Sequence, residues 1–183
     1  ALKKSLENLG LDYVDLYLIH WPAEGYVEAY LEMEKLQKEG LTRSIGVSNF
    51  RKSHLQNLLS KVHIVPSINQ IETNPQMVDE ETIQYCKENK IGVEAWSPLG
   101  SGACLNNPKI QEIANKYQKS SAQIILRWLL QKGIVILPKS VHENRIKENI
   151  DLFNFVLENE DVELINQLNQ HKRTGPDPDN FDF

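Results

Sequence analysis

The sequence predicts an α/β fold with a parallel sheet, because short apolar runs alternate with segments of helical pattern. Five runs rich in β-branched and apolar residues cover residues 15–20, 44–49, 67–72, 92–97 and 135–140. Each run is short enough to be a strand that is buried on both faces. The spacing allows one strand and one helix per step, and the last gap has room for an extra helix.

The segments between the runs carry helix signals. Residues 26–38 place apolar side chains mostly at three- and four-residue spacings, which is typical of an amphipathic helix. Asn107 and Pro108 are an N-cap and a proline at the first helical position, and they predict the start of the extra helix. Ser120 and Gln123 match a capping box that opens the next helix.

Polar or aromatic groups suited to a ligand site end all five runs. They are His20 and Trp21, Ser48 and Asn49, Gln70, Trp96 and Ser97, and Lys139 and Ser140. In a closed barrel the carboxyl ends of all strands converge, whereas an open doubly wound sheet brings together only the strands at its switch point. Five such ends favour a (β/α)8 TIM barrel, and the absence of a Gly-x-Gly-x-x-Gly motif argues against a Rossmann site.

A complete barrel usually needs roughly 250 residues. We therefore expect this chain of 183 residues to contain about the last five strands and their helices, with the first three strands absent. We expect one partial TIM-barrel domain over residues 1–183. Residues 174–183 have no periodicity and should form an extended tail across the surface or over the site.

Composition excludes several classes of function. The formal net charge of -5 provides no basic field for nucleic acid. Cys86 and Cys104 have neither the spacing of a metal site nor that of a disulfide framework, so two reduced thiols are expected. No apolar stretch approaches the roughly 18 residues that span a bilayer, and the N-terminus lacks a signal-peptide core. We expect a cytoplasmic protein without a metal, a membrane partner or a nucleic-acid partner.

Successive motifs resemble, in order, the signatures of the aldo-keto reductases. They are DLYLIHWP at 15–22, IGVSNF at 45–50, NQ at 69–70, AWSPLG at 95–100, and ILPKS at 136–140 with RIKEN at 145–149. The ending GPDPDNFDF is similar to that of the bacterial glyoxal, methylglyoxal and 2,5-diketo-D-gluconate reductase branch. The resemblance implies the C-terminal part of an NADP-dependent oxidoreductase. Such an enzyme reduces aldehydes and ketones, including small carbonyls such as glyoxal or methylglyoxal, by hydride transfer from NADPH.

The resemblance assigns His20 a catalytic and substrate-binding role, in which the imidazole holds the substrate carbonyl. It places Trp21 in the substrate pocket. Taken alone, a histidine at a strand end is more often structural, and an aromatic side chain more often packs in a core.

The resemblance also implies that Ser48, Asn49 and Gln70 bind the nicotinamide carboxamide. Their alternative role is to satisfy local backbone groups. Trp96 would stack on the nicotinamide ring, a position at which the family more often has tyrosine.

Ser97, Leu99 and Ser101 match the family segment that spans the cofactor pyrophosphate, where backbone amides and hydroxyls can meet phosphate oxygens. Gly100 and Gly102 would allow close approach of that segment. An ordinary solvent loop is the alternative.

The last group of cofactor residues follows the fifth run and continues along a helix. Its members are Lys139, Ser140, Val141, Arg145, Glu148 and Asn149. A 2′-phosphate needs a cation and a hydroxyl, and an adenine face suits a planar guanidinium. The set therefore resembles an NADPH site rather than an NADH site, although Arg145 alone would only indicate a solvated helix.

The family uses four catalytic residues, of which this chain matches His20. The proton-donating tyrosine, a lysine and an aspartate come from segments that precede the His20 strand. The nearby candidates lead into that strand and cannot replace them: Lys3, Lys4, Asp12, Tyr13, Asp15 and Tyr17. We therefore expect the isolated chain to be inactive or nearly so.

Two other functions stay open, an NADPH-binding module and a non-catalytic, self-associating half-barrel. The expected partners are a small carbonyl substrate and either a complementary N-terminal portion or a second copy at the open barrel edges.

Overall fold

Helices and strands alternate along residues 1–181, the part of the chain that the computed structural model describes. The strands are β1 (Val14–Ile19), β2 (Thr42–Ser48), β3 (Ile68–Glu72), β4 (Gly92–Trp96) and β5 (Val135–Ile136). The α-helices are α1 (Leu2–Leu9), α2 (Tyr26–Lys38), α3 (Lys52–Leu59), α4 (Glu80–Glu88), α5 (Pro108–Tyr117), α6 (Ser121–Gln131), α7 (Glu143–Ile150) and α8 (Asn159–Asn166). A 3-10 segment, Gly100–Asn106, follows β4.

The strands form one sheet in the order β1-β2-β3-β4-β5. β1 and β2 are parallel, and Ser48 of β2 lies opposite Gln70 of β3 in a second parallel pair. Ala95 of β4 lies opposite Ile136 of β5, again in parallel. Every connection between consecutive strands contains a helix. The predicted α/β fold with a parallel, helix-covered sheet is confirmed.

The chain divides into two compact units. Unit 1 comprises Ala1–Gln70 and Glu81–Gly92, and unit 2 comprises Ile71–Glu80 and Val93–Phe183. The expected single domain over residues 1–183 stays a prediction.

The last strand is shorter than the sequence predicts. β5 ends at Ile136, so Lys139 and Ser140 lie beyond it in the connection to α7. The final ladder bond runs from the Leu137 N–H to the Ala95 carbonyl at 3.2 Å. The strand ends there although Leu137 and Pro138 continue the apolar run, so the apolar content of the sequence overestimates the length of the strand.

Burial of the outer strands also differs from the prediction. β1 has no fully buried residue, and Val135 of β5 is exposed. Both are the outer strands of the described sheet, so each has a neighbour on one side only. The prediction of burial on both faces is wrong for these two strands.

The core of unit 1 is built on β2, against which α2 packs. Val47, Leu55 and Leu58 are completely buried there. A glycine is required at residue 46, because a Cβ at this position would lie 2.7 Å from the Ile68 carbonyl oxygen. At this point β3 therefore lies too close to β2 for any side chain at residue 46.

The core of unit 2 is centred on α6. The Trp128 side chain is completely buried, and its Nε1–H donates to Asn166 Oδ1 at 2.9 Å. Both predicted helix starts are confirmed. Asn107 Oδ1 accepts from the N–H of the second residue of α5, and Ser120 forms a reciprocal capping box with Gln123.

The tail is not extended throughout. Asn180 donates its N–H to the Asp177 carbonyl at 3.0 Å, which closes a turn within the described part of the tail. Asp182 and Phe183 lie outside the described residues, and so does the prediction of an extended end. Within residues 1–181, no helix combines the length and the apolar character needed to cross a membrane.

Candidate active site and cofactor cleft

Unit 1 contains five of the predicted site residues, and two of them directly follow β1. The rings of His20 and Trp21 are 6.1 Å apart between centroids and meet edge to face. His20 is exposed, and Trp21 is half-buried. An exposed imidazole offers both a donor and an acceptor nitrogen to a small molecule, according to its tautomer.

Ser48, Asn49 and Gln70 meet at one backbone carbonyl. The Ser48 hydroxyl and the Asn49 N–H both donate to the Gln70 carbonyl oxygen at 2.8 Å. Asn49 Nδ2 also donates to the His20 carbonyl oxygen at 3.0 Å. The structure therefore brings four predicted site residues of unit 1 into one hydrogen-bond network.

This network also fits the alternative interpretation of these residues. Ser48 and Asn49 are buried, and the bonds just described end on backbone carbonyls, as residues that satisfy local backbone groups would make. Gln70 is the third of five residues in β3, so its predicted position at a strand end is wrong, because the ladder continues to Glu72.

Asn69 is a further residue of this network that sequence reasoning missed. Its Oδ1 accepts from the Phe50 N–H at 3.3 Å, and its Nδ2 donates to the Phe50 carbonyl at 2.7 Å. Asn69 is completely buried, and Asn49, next to Phe50, has a φ of 63°. The paired bonds hold the backbone that follows this left-handed residue. The signal in the sequence is an amide side chain that directly follows Ile68 in a short strand.

In unit 2, Trp96 ends β4 and a tight loop follows it. Ser97 and Ser101 have φ values of 49° and 53°, a conformation that non-glycine residues seldom adopt. The Ser101 N–H donates to Ser97 Oγ at 3.1 Å, which joins the two hydroxyl residues. Residue 100 favours glycine, because an added Cβ would lie only 2.8 Å from Cys104 Sγ. The loop therefore presents both hydroxyls from a fixed turn.

The loop lines a cleft of about 780 Å3 within unit 2. Eight predicted cofactor residues line this cleft: Ser97, Leu99, Ser101, Lys139, Ser140, Arg145, Glu148 and Asn149. The volume lies within the range of ordinary small-molecule sites. Trp96 and Val141 are not among the lining residues of the cleft, and Val141 is exposed.

The electrostatics of the cleft favour an anion. Lys139 and Arg145 are exposed, and within residues 1–181 neither forms a salt bridge. The carboxylate of Glu148 accepts a hydrogen bond from the Ser120 hydroxyl. The cleft therefore has two cations without acidic partners, and its one lining acid is bonded to a neutral group.

The start of α6 adds residues that the sequence interpretation did not assign to the cleft. Ser121 and Ala122, in the first turn of α6, line it together with Ser120. The N-terminus of a helix carries a partial positive charge and free N–H groups, so it favours anions. Ser120 was interpreted only as a helix cap; its position at a helix start was the available signal.

Cys104 lies next to Gly100 of the loop, and its thiol is not suited to act as a nucleophile. It is buried, and its thiol contacts Asn74 Oδ1 at 3.7 Å. Burial raises the pKa of the Cys104 thiol above its ordinary value. The group is therefore a protonated packing residue rather than a nucleophile.

The sequence and fold of this chain match a known family. The model of the aldo/keto reductase family covers residues 1–170. The chain belongs to this family. The resemblance inferred from the motifs is confirmed, and the curated relatives include bacterial glyoxal and methylglyoxal reductases.

Three members of the aldo/keto reductase family illustrate the similarity. The glyoxal reductase of Bacillus subtilis is 50% identical over 184 residues, covering 100% of this chain and 67% of its own. The methylglyoxal reductase DkgA of Escherichia coli is 47% identical, covering 99% of this chain and 68% of its own. The NADP complex of a Bombyx mori aldo-keto reductase has a TM-score of 0.90 at 41% identity, covering 97% of this chain and 64% of that one. The chain spans about two thirds of the length of the relatives it matches.

We predict that Asn69→Ala lowers the free energy of unfolding by about 2 to 5 kcal/mol, because it leaves two buried backbone groups of Phe50 without partners. Urea denaturation followed by circular dichroism measures this change. Asn57→Ala is the matched control, since Asn57 is exposed. This substitution should lower the free energy of unfolding by less than about 1 kcal/mol. Equal losses in the two variants would contradict a special role for Asn69.

Proposed function

We propose that this chain carries the cofactor-binding and carbonyl-positioning parts of an NADPH-dependent reductase of aldehydes and ketones. The proposal extends to small carbonyls such as glyoxal and methylglyoxal, since relatives with 50% and 47% identity bear the names of reductases for these two compounds. Within this proposal the chain is the C-terminal part of a (β/α)8 barrel whose first three strands belong to a longer protein. The expected cytoplasmic location stays a prediction.

The observation that carries the proposal is the cleft of about 780 Å3 with its unpaired cations. A dinucleotide carries a pyrophosphate, and NADPH carries a further 2′-phosphate. Lys139 and Arg145 are suited to that phosphate, with Ser140 as a neutral donor, and the plane of the Arg145 guanidinium also suits the adenine face. The hydroxyls of Ser97 and Ser101 and the first turn of α6 are suited to the pyrophosphate.

The proposal keeps the roles that the family resemblance gives to the other predicted residues. In unit 1, Ser48, Asn49 and Gln70 would bind the carboxamide, and in unit 2, Trp96 would stack on the nicotinamide ring. Leu99 and Val141 provide apolar contact, and Glu148 and Asn149 hydrogen-bond the adenine. Bound NADPH would supply the hydride that converts the carbonyl group to an alcohol.

His20 has the proposed role of orienting the substrate. Its exposed imidazole can donate a hydrogen bond to the carbonyl oxygen, which fixes the position of the carbonyl carbon and polarises the bond. Trp21, edge to face with His20, would provide an apolar wall on which a small carbonyl compound packs.

Reduction also requires a proton for the developing alkoxide, and several of the candidate donors that precede His20 in the sequence have other partners. Tyr13 lies under the guanidinium of Arg43 at 4.2 Å, and Asp15 pairs with the same arginine at 2.8 Å. Lys4 pairs with Glu7 at 2.8 Å. These groups are engaged in structural contacts, which supports the proposal that other residues of a longer protein donate the proton.

We predict that Arg145→Ala weakens NADPH binding about 10- to 100-fold, because a charge-assisted hydrogen bond to phosphate contributes roughly 1.5 to 3 kcal/mol. Affinity for NADH, which lacks the 2′-phosphate, should change much less. Quenching of tryptophan fluorescence on titration with each nucleotide measures both constants.

Lys147→Ala is the matched control for this titration, because Lys147 lies on the same helix but pairs with Glu143 at 2.7 Å. It should bind NADPH as the unchanged chain does. An Arg145→Ala variant with full NADPH affinity would contradict the assignment. Failure of the unchanged chain to bind either nucleotide would favour the alternative of a half-barrel without a cofactor.

We predict that the isolated 183-residue chain reduces methylglyoxal at least about 100-fold more slowly than a full-length family member, because a general acid contributes roughly 10²- to 10⁴-fold. NADPH oxidation at 340 nm measures the rate, with the length of the chain verified by intact mass and a full-length reductase as positive control. NADPH binding without turnover would match the binding-module alternative, and ordinary turnover would refute the need for another proton donor.

We also propose that the outer strands associate with a complementary N-terminal portion or, when it is lacking, with a second copy. Leu16 of β1 and Val135 of β5 are exposed apolar residues on unpaired strand edges, which favour pairing. Sedimentation velocity at micromolar concentrations should show dimers or larger species. Leu16→Lys should reduce them, whereas Leu9→Lys, an equally apolar exposed site on α1, should not. A folded, strictly monomeric chain would contradict self-association.

A further inference from the structure

One buried carboxylate in unit 2 contacts three consecutive residues, Arg173 and the first two residues of the tail, and Arg173 is included with the tail below. Glu72, the last residue of β3, has a fully buried side chain. Its Oε1 accepts from the Thr174 N–H at 2.7 Å and from the Thr174 hydroxyl at 2.5 Å. Its Oε2 accepts from the Gly175 N–H at 3.4 Å and lies 4.0 Å from an Arg173 guanidinium nitrogen. Asn74 Nδ2 adds a 3.4 Å bond from outside the tail.

The arrangement is costly unless the tail is in place. An ionised carboxylate without solvent needs hydrogen-bond donors and a counter-charge, and a partner lost from such a group costs several kcal/mol. The tail provides three of the four donors to Glu72 and the only cation beside it among the described residues. Release of the tail would leave Asn74 as the one protein donor to the carboxylate among the described residues. The hydrogen bonds and the charge that the tail provides therefore favour its docked position.

The docked tail contacts the aromatic residue of the proposed nicotinamide site. A Cβ added to Gly175 would lie 2.4 Å from Trp96 Cη2 and 3.2 Å from Cζ3, so the glycine backbone rests directly against the six-membered ring of the indole. The Thr174 hydroxyl lies 3.4 Å from Ser97 Oγ. One tail segment therefore touches both Trp96 and the first residue of the loop that follows it.

We propose that Glu72 is a positioning residue that clamps Arg173–Gly175 onto Trp96, so that the tail fixes the plane of the indole against which the nicotinamide stacks. The link to the nicotinamide rests on the proposed function. The clamp itself does not, because every contact in it lies within the chain.

The glycine and the tryptophan form a matched pair. Tyrosine, the more usual residue of the family at this position, has a single, narrower ring in place of the fused indole. Cη2 and Cζ3, the atoms nearest to Gly175, belong to the part of the indole that extends furthest. The wide ring thus requires a residue without a side chain at 175. A side chain with a single ring lacks the fused ring that contains these two atoms and should leave space for a methyl group at residue 175.

The clamp is tested in the 183-residue chain by hydrogen–deuterium exchange of the peptide that spans residues 172–181. Glu72→Gln keeps the shape of the side chain but removes the charge and one acceptor oxygen. It should raise the exchange rate of this peptide about tenfold or more and weaken NADPH binding about three- to tenfold. Thr174→Val should have the same direction of effect, and Thr174→Ser, which keeps the hydroxyl, should behave as the unchanged chain.

Two further variants separate the clamp from a general loss of stability. Asn166→Ala removes the partner of Trp128 in the core of unit 2 and touches no clamp residue. It should lower the melting temperature without changing tail exchange or NADPH affinity. Gly175→Ala leaves Glu72 intact and should free the tail by collision with Trp96. In a Trp96→Tyr background the same substitution should have a smaller effect on tail exchange.

The outcomes distinguish the clamp from the proposed function. Folded Glu72→Gln and Thr174→Val variants with unchanged tail exchange would overturn the clamp. If Glu72→Gln does not fold, tail exchange in Thr174→Val, Thr174→Ser and Gly175→Ala decides whether the clamp exists, because these substitutions change the tail and leave Glu72 in place. A freed tail with undiminished NADPH affinity would overturn the role in positioning the indole. A chain that never binds NADPH would refute the proposed function, while tail exchange would still decide whether the clamp exists.

Discussion

The side-chain amide of Asn69 is the interaction on which the site of unit 1 depends. It donates to and accepts from the backbone of a single residue, Phe50, in the buried interior. An amide can do both at once, whereas a carboxylate can only accept and an apolar side chain can do neither. The residue before Phe50 is Asn49, whose left-handed backbone directs its own bonds to His20 and Gln70. One interior side chain thus supports the backbone that carries bonds to a residue after β1 and to a residue of β3.

The two cations of the cleft in unit 2, Lys139 and Arg145, form no salt bridge within residues 1–181. Several other lysines of unit 2 are paired, as Lys116 is with Asp161 and Lys132 with Glu80. Although burial opposes it, the bonds from Lys116 and Tyr117 lower the pKa of Asp161. Such pairs contribute to stability, while Lys139 and Arg145 contribute a positive field to the cleft. Under the proposed function these two cations bind the phosphates of the cofactor.

Features fixed by neighbouring residues in the sequence could be predicted. The N-cap at Asn107 and the capping box at Ser120 are correct because each depends on a few consecutive residues. The starts of the five strands agree within two residues, since the apolar runs mark them directly. The order of polar residues after the strands led to the correct family. Local chemistry was therefore sufficient for the fold class and for the candidate residues.

Features that depend on distant partners could not be predicted. The exposure of β1 depends on which strands flank it, and a sequence pattern does not contain that information. The bonds of Glu72 join residues about a hundred positions apart, and nothing near Glu72 in the sequence indicates them. Lys139 is misplaced because the length of the last run was inferred from apolar content alone, whereas Gln70 lies two residues before the end of a run whose end is correct. The backbone hydrogen-bond ladder sets the actual ends.

The burial of both cysteines has a consequence for a protein that handles reactive carbonyl compounds. Small dicarbonyls are electrophiles, and the thiolate is the form of cysteine that attacks electrophiles. Cys86 and Cys104 are buried and form no disulfide among the described residues, and burial raises the pKa of the Cys104 thiol. Neither cysteine is accessible to a dissolved electrophile while the chain is folded. The packing of the core thereby shields these two thiols, although not the exposed lysines and arginines, from the compounds that we propose the reductase consumes.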